Sequence, residues 1–468
     1  MESCSYFNGY RPVILVADLE LLKQIQIKDF QDFVDRGLLF QAKRPPSPHN
    51  KSLLQLTSTR WKEVRTVLTP SFTTSKLKMM SPAIIEAVKK LVCKVGAKAE
   101  SGEEFEAGEM FAALALDVVC KSAMGIDYNL QDNPRHGFLK DLLQLMIDAK
   151  EAPVDVASVT STQLTAGDDN EQELETGAAN GNLKADRPVV KKTVLDDDDI
   201  TQNAFVVLVG GFETTSNAMA LVTHMLTHNL EIQEKVREEL LSVLPPDEPI
   251  TYDTIQKLTY MNCVIQETMR LYPPAFAVVT REAVVDKQYD KIRIPAGTAV
   301  MAAVEYIHRD PRHWHRPDVF DPDRFLPQNK SRINPMAMQA FGNGPRNCIG
   351  MRFAHMELRY TFAHILRKYR LEKTENSQKM GGDGQSVTAH FLSWQYVPTS
   401  WTRKTTRVRM FFGALFQYMT RAAEHYRQKY EIFSEHQIAF KNLRSERFDG
   451  APLMARKANC WKAPVHEE

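Results

Sequence analysis

The chain predicts a mainly α fold with a small β region, on three observations. Helix-like stretches follow one another from Trp61 to Met124 with few turn signals. A long apolar helical run extends from Ile200 to Leu226, and another strong helix from about Ile255 to Leu271. Strand-like composition is confined to Tyr10–Ala17 and Lys291–Val304.

The bulk numbers agree with a folded protein. Of 468 residues, 43% are hydrophobic and 25% charged, close to the globular average, so a sizeable core can be buried. The length allows one large domain or two to three ordinary ones. A net charge of +1 excludes the strong field of a nucleic-acid-coating protein, and no nucleic-acid partner is expected. Six cysteines lie far apart without a CxxC pair, which favours a reducing compartment. No run approaches the ~18 apolar residues that span a bilayer, and the N-terminus is not signal-like, so the chain is not expected to cross a membrane.

In chain order, residues 1–150 form an N-terminal part that opens with a β-branched strand at Tyr10–Ala17 and a helical pattern at Leu19–Ile27. Residues 151–199 are rich in Ser, Thr, Gly, Asn and acids and end in Asp196–Asp199. With few large apolar side chains the stretch predicts a flexible loop. In 200–380, Gly210-Gly211 interrupts the first helix, and the second stops at Pro273-Pro274, because proline cannot continue a helix. Lys291–Gly297 and Thr298–Val304 predict a β hairpin, with proline-punctuated loop over most of 309–335. Residues 381–468 form a tail, in which 403–440 mixes basic residues with Phe411, Phe412, Leu415 and Phe416. A solvated helix or an artefact of gene assembly is favoured there over a surface-binding helix.

The strongest chemical signal is Phe341-Gly-Asn-Gly-Pro-Arg-Asn-Cys-Ile-Gly350, leading into a helical Met351–Tyr360. Cys348 lies in a glycine-rich loop ahead of a helix N-terminus, where the dipole and nearby N–H groups lower a thiol pKa and favour a metal-binding thiolate. Gly342, Gly344 and Gly350 permit the backbone that a loop pressed against a flat macrocycle needs, and Arg346 can pair with a carboxylate. The alternative is a tight turn around a buried structural cysteine. Glu267 and Arg270 share one helix face at i, i+3, a spacing that, taken alone, more often marks a solvated helix. Gly210-Gly-Phe-Glu-Thr-Thr215 reads either as a break between two helices or as a local opening beside a ligand. In the second case a Thr hydroxyl bonds back to a carbonyl and an acid relays protons. His308, His313 and His315 lack a cysteine or supporting shell, so a metal role is disfavoured.

The decapeptide fits FxxGxRxCxG at Phe341, Gly344, Arg346, Cys348 and Gly350, and so resembles the haem-binding loop of the cytochrome P-450 family. The resemblance implies a haem-thiolate monooxygenase fold with Cys348 as the iron ligand and haem b (iron protoporphyrin IX) as cofactor. It makes Thr214 the dioxygen-side hydroxyl and Glu213 the adjacent acid. Trp61 and Arg65 match the family's WxxxR, and Arg281 is similar to another propionate partner. Glu267, Arg270 and Arg324 are similar to a triad that holds the haem loop. The likeness runs over about 6–124, 135–150 and 200–373. The runs 141–148 and 261–270 look closest to the microsomal drug-metabolising and thromboxane-synthase-like branch.

The resemblance implies insertion of one oxygen from O2 into a small lipophilic substrate. Electrons would come from a separate NADPH-dependent reductase, at the endoplasmic reticulum membrane. A haem-thiolate peroxide isomerase and an inactive truncated paralogue are the alternatives. Three departures from the family are expected: no membrane anchor, no substrate-roof helices between Leu130 and Arg135, and no closing β segment beyond about Met380. A pocket without its roof should stay open to water.

Overall fold

The computed structural model describes residues 3–8, 11–37, 51–101, 107–123, 125, 129–132, 195–245, 248–275, 278–372, 388–393 and 405–409. The expected roof gap beyond Asp132 and most of the expected loop over 151–199 lie outside these residues. So does the tail, apart from two strands.

Ser3–Asn8 (β1) and Arg11–Val16 (β2) pair antiparallel. Asp18 accepts from Leu21 N–H to cap Leu19–Lys23 (α1), which widens into a π turn at Gln24–Lys28. The predicted helical stretch resolves into Ser58–Leu68 (α2), Thr74–Ser101 (α3) and Ala107–Ala123 (α4).

Asp197–His228 (α5) departs from expectation twice. It starts inside the acidic run assigned to the loop. Asp196 and Asp199 form a reciprocal capping box there, and carboxylates complement the positive helix end. It also runs unbroken through Gly210-Gly211. A Cβ on Gly211 would come within 2.8 Å of Val119 Cγ2 on α4, so that glycine lets the two helices close together. By length and apolarity α5 also passes as a membrane-crossing helix. Part of its apolar surface, including Leu208, Met219, Val222 and Leu226, packs into the main core.

Leu230–Val243 (α6) follows. The helix predicted over 255–271 is two, Tyr252–Gln256 (α7), boxed by Thr251 and Thr254, and Thr259–Leu271 (α8). Val304–Arg309 (α9) and Met351–Lys368 (α10) complete the described helices. One large core joins α3, α4, α5, α6, α8 and α10.

The expected hairpin is overturned by the pairing. Ile292–Ile294 (β5) pairs with Lys287–Tyr289 (β4), whereas Ala299–Ala302 (β6) runs parallel to β2 and antiparallel to Thr280–Glu282 (β3). All four β6 residues are buried, as suits a strand in the sheet interior, and Gly297 at φ +78° turns the chain away from β5. The sheet order is β1-β2-β6-β3, with its own core against α1 and α9. Tyr369–Glu372 (β7), Thr388–Ser393 (β8) and Thr405–Arg409 (β9) form a further sheet. A β segment beyond Met380 is therefore present, and a strand occupies the start of the stretch expected to be helical from 403.

Candidate active site

The Cys348 turn is built by its backbone. Cys348 N–H donates to Phe341 C=O at 2.8 Å, and Asn347 N–H to Gly344 C=O at 2.9 Å. Gly342 and Gly344 both adopt φ +71°. A Cβ on Gly344 would collide with the Gln26 carbonyl of the π turn, so this glycine is required twice over. Gly350, the residue before α10, has an ordinary φ of −92°.

Cys348 is closely surrounded by protein yet keeps an exposed face. Burial pushes its thiol up, against the opposing pull of the Gly350 N–H and the Arg65 and Arg36 charges. The expected lowering by the helix start is thus present as a contribution but outweighed by desolvation. A metal ion bound by this cysteine would favour its thiolate form.

Arginines surround the turn. Arg65 on α2 donates to Asn347 C=O at 3.1 Å and to Asn347 Oδ1 at 3.0 Å. Arg346 stacks 4.1 Å over the Trp61 ring and donates to the carbonyls of Val34, Leu53 and Leu56 at 2.8, 3.2 and 2.7 Å. Arg281 on β3 donates to Thr280 C=O at 2.8 Å and Asn343 C=O at 3.0 Å. A fourth, Arg36, carries no motif and was missed by sequence reasoning. It donates to Val278 C=O and, at 2.7 Å, to Arg346 C=O. Its one sequence signal is weak: it precedes Gly37, where a Cβ would meet Ala299 Cβ at 2.7 Å.

These guanidiniums repel one another. Burial lowers Arg36 and Arg65 to about 10, partly countered by Cys348. Arg281 and Arg346 are pushed well down by burial and then by Arg36. Nε of Arg36 and of Arg281 is buried with no hydrogen-bond partner among the described residues. A concentrated, partly unsatisfied positive charge beside a cysteine suits a dianionic, flat group, and the two propionates of haem fit it.

Opposite lies α5. Thr214 Oγ1 donates back to Gly210 C=O at 2.5 Å, the local bond expected from the sequence. Gly210 is exposed, with no atom within 4 Å of a Cβ position, whereas Thr215 is buried. Glu213 is half-buried one residue before Thr214.

Behind the turn, Glu267 and Arg270 of α8 are fully buried and joined by two bonds at 2.7 and 2.8 Å. Arg324 Nε donates to Glu267 Oε1 at 3.2 Å, and Asp321 N–H to the same oxygen at 3.0 Å. His308 carries this network on to the loop that leads to the turn. Its Nδ1–H donates to Arg270 C=O at 2.8 Å, and its Nε2 accepts from Gln339 N–H at 2.8 Å. The sequence brought His308 forward only as a disfavoured metal ligand, and its bridging role was not foreseen. His315 is exposed, and His313 lies 3.9 Å from Asp310.

A family model described as Cytochrome P450 matches residues 2–165 and 182–393. The chain is 29% identical over 412 residues to Cytochrome P450 3A6 of Oryctolagus cuniculus, covering 81% of each. It is also 29% identical over 437 residues to Thromboxane-A synthase of Sus scrofa, covering 80% of this chain and 81% of that one. Lithocholate 6-beta-hydroxylase of Mesocricetus auratus is similar at 29% over 417 residues, with 80% of each chain covered.

Proposed function

Because this chain belongs to the cytochrome P450 family, in its microsomal branch, and is a haem-thiolate monooxygenase that uses haem b, we propose that Cys348 is the iron ligand. The residues that would hold the haem are those of α5 and of the turn that precedes α10, within the core formed by residues 200–380 with the N-terminal part. Haem held by a thiolate supplies O–O cleavage, with one oxygen going to substrate.

The chain's own residues bind and orient. Arg36, Arg65, Arg281 and Arg346 would receive the propionates, and the Trp61 face supports Arg346. Phe341 fixes the Cys348 backbone through its carbonyl, and its ring packs 5.2 Å from that of His355. Thr214, with its proton given to Gly210 C=O, keeps hydroxyl lone pairs for a proton donor, and Glu213 is the acid that resupplies it.

The substrate is a small lipophilic molecule, since the open stretch of α5 carries Phe205, Val209 and Gly210. O2 is the co-substrate, a separate NADPH-dependent reductase supplies electrons, and the endoplasmic reticulum membrane is the site of action. The observation that carries this reading is the convergence of four mutually repelling arginines on the Cys348 turn. Its test is the reduced, carbon-monoxide-bound spectrum of the purified chain: thiolate ligation gives a strongly red-shifted band, and a band at the position of imidazole-ligated haem would contradict it.

A further inference from the structure

His224 and His228 stand one turn apart at the C-terminal end of α5, and no role assigned to the haem site uses either of them. The i, i+4 spacing puts both side chains on one face of the helix. Their rings lie 4.1 Å apart, centroid to centroid, with 38° between the planes.

Each ring keeps one nitrogen uncommitted. On His228, Nδ1 lies 2.9 Å from His224 C=O. A carbonyl only accepts, so Nδ1 carries the ring proton and Nε2 keeps its lone pair. Thr227 Oγ1 donates to the same carbonyl at 2.8 Å and lies 3.2 Å from Nδ1, which fixes the ring further. Metal-binding histidines are oriented in this way, with the second ring nitrogen tied to a backbone oxygen. His224 is 6% exposed, and its Nδ1 is buried without a hydrogen-bond partner among the described residues. A buried nitrogen left unpaired is costly, and a water or an ion ordinarily removes that cost.

The end of α5 also suits a cation, because its last carbonyls carry the negative end of the helix dipole. Two of them are fixed by side chains: Met225 C=O accepts from Asn229 Nδ2 at 2.8 Å, and Leu226 C=O from Gln233 Nε2 at 3.0 Å. Gln233 also bonds both backbone groups of Leu371 on β7, at 2.8 and 2.7 Å, so the pair sits on a well-anchored helix end. His228 is half-buried, and the pair meets solvent on that side.

We propose that His224 and His228 form a two-histidine site for a divalent transition ion of the zinc type, with His224 Nδ1 and His228 Nε2 as donors. Imidazole nitrogens suit zinc and copper. Zinc–nitrogen bonds of about 2.0–2.1 Å place two donors within about 3.5 Å of each other. Rings whose centroids are 4.1 Å apart reach that separation by small rotations. Among the described residues no third His, Cys, Asp or Glu completes a cluster, so water fills the remaining positions. An ion held there clips the last turn of α5, the helix that carries Thr214.

The experiment uses the haem-loaded full chain and zinc alone, with uptake followed by titration calorimetry and hydrogen exchange of residues 221–229 measured in parallel. The parent binds one zinc per chain at this site, and zinc slows exchange in 221–229. His228→Gln and His224→Gln each weaken that binding about a hundredfold, the gain of a second donor on one ion, and abolish the effect on exchange. Haem content and the carbon-monoxide spectrum stay as in the parent.

A parent chain that takes up no zinc overturns the proposal. Uptake that both variants retain also overturns it, since the ion then sits elsewhere, for example on the exposed thiol of Cys93. Weakening in one variant only overturns it too, because a single histidine then holds the ion. Should His224→Gln fail to fold, His228→Gln decides: parent-like affinity overturns the proposal, and loss of zinc binding together with its effect on exchange bears it out.

Discussion

Thr214 bonds within its own turn of helix, whereas His308 bridges segments distant in sequence, and they lead to different expectations. Thr214 bonds its own helix and touches none of the groups assigned to haem. Thr214→Ala should therefore retain haem but lose controlled proton delivery. The product formed per NADPH consumed, with a reductase supplied, should fall several-fold while peroxide rises; an unchanged ratio removes the residue from proton transfer. His308 acts through its neutral form. Burial lowers it to about 3, because a charged ring would have to leave water and face Arg270 and Arg309. His224 is likewise lowered to about 3 and His364 to about 4, both by burial first. For a histidine whose folded pKa lies below its unfolded value near 6.5, the unfolded chain binds the extra proton. Stability is then complete above about pH 6.5 and declines as pH falls toward the folded value. Each such histidine contributes at most about 1.4 kcal/mol per pH unit in that window. Denaturant melts between pH 7 and 5 should show this decline, and His308→Ala, though less stable at pH 7, should show a shallower one. Equal slopes would mean that His308 does not stay neutral in the fold.

At the scale of elements, the paired glycines of α5 separate packing from conformational freedom. Glycine costs a helix up to about 1 kcal/mol relative to alanine. Gly210→Ala meets no atom within 4 Å and should raise the unfolding free energy by about 0.5 to 1 kcal/mol. Gly211→Ala drives a methyl into Val119 and should lower it by about 1 to 3 kcal/mol despite the same helix preference. Urea melts of both variants decide this, and equal stabilities would mean that α4 and α5 do not approach as closely as described. The same helix shows where the sequence was legible. Its length follows from apolar periodicity, and the Thr214 back-bond from hydroxyl placement. Its true start was hidden because Asp196–Asp199 has the composition of a solvated loop, and only the reciprocal cap turns it into a helix end. The partner of β6 was hidden for a similar reason. Pairing with β2, nearly 290 residues earlier, leaves no local mark, whereas the neighbouring β5 invited a hairpin.

The whole molecule depends on a buried ionic network that links α8, the Arg324 segment and the loop leading to Cys348. Glu267→Ala leaves Arg270 and Arg324 facing a dry interior with fewer acceptors, a typical loss of about 3 to 5 kcal/mol. Haem content of the purified variant should collapse, and normal content would place the network outside haem retention. Much of this centre was readable because the FxxGxRxCxG, ExxR and WxxxR strings each carry their own spacing. Arg36 and His308 were not, since each acts on backbone groups brought together only by the fold. The central claim is that Cys348 holds the iron, and the most direct measurement is the reduced, carbon-monoxide-bound spectrum of the parent chain beside Cys348→Ser. The account predicts a strongly red-shifted band in the parent that is lost in the variant, because an alcohol cannot match a thiolate's donation to iron. A Cys348→Ser chain that keeps the red-shifted band would contradict it.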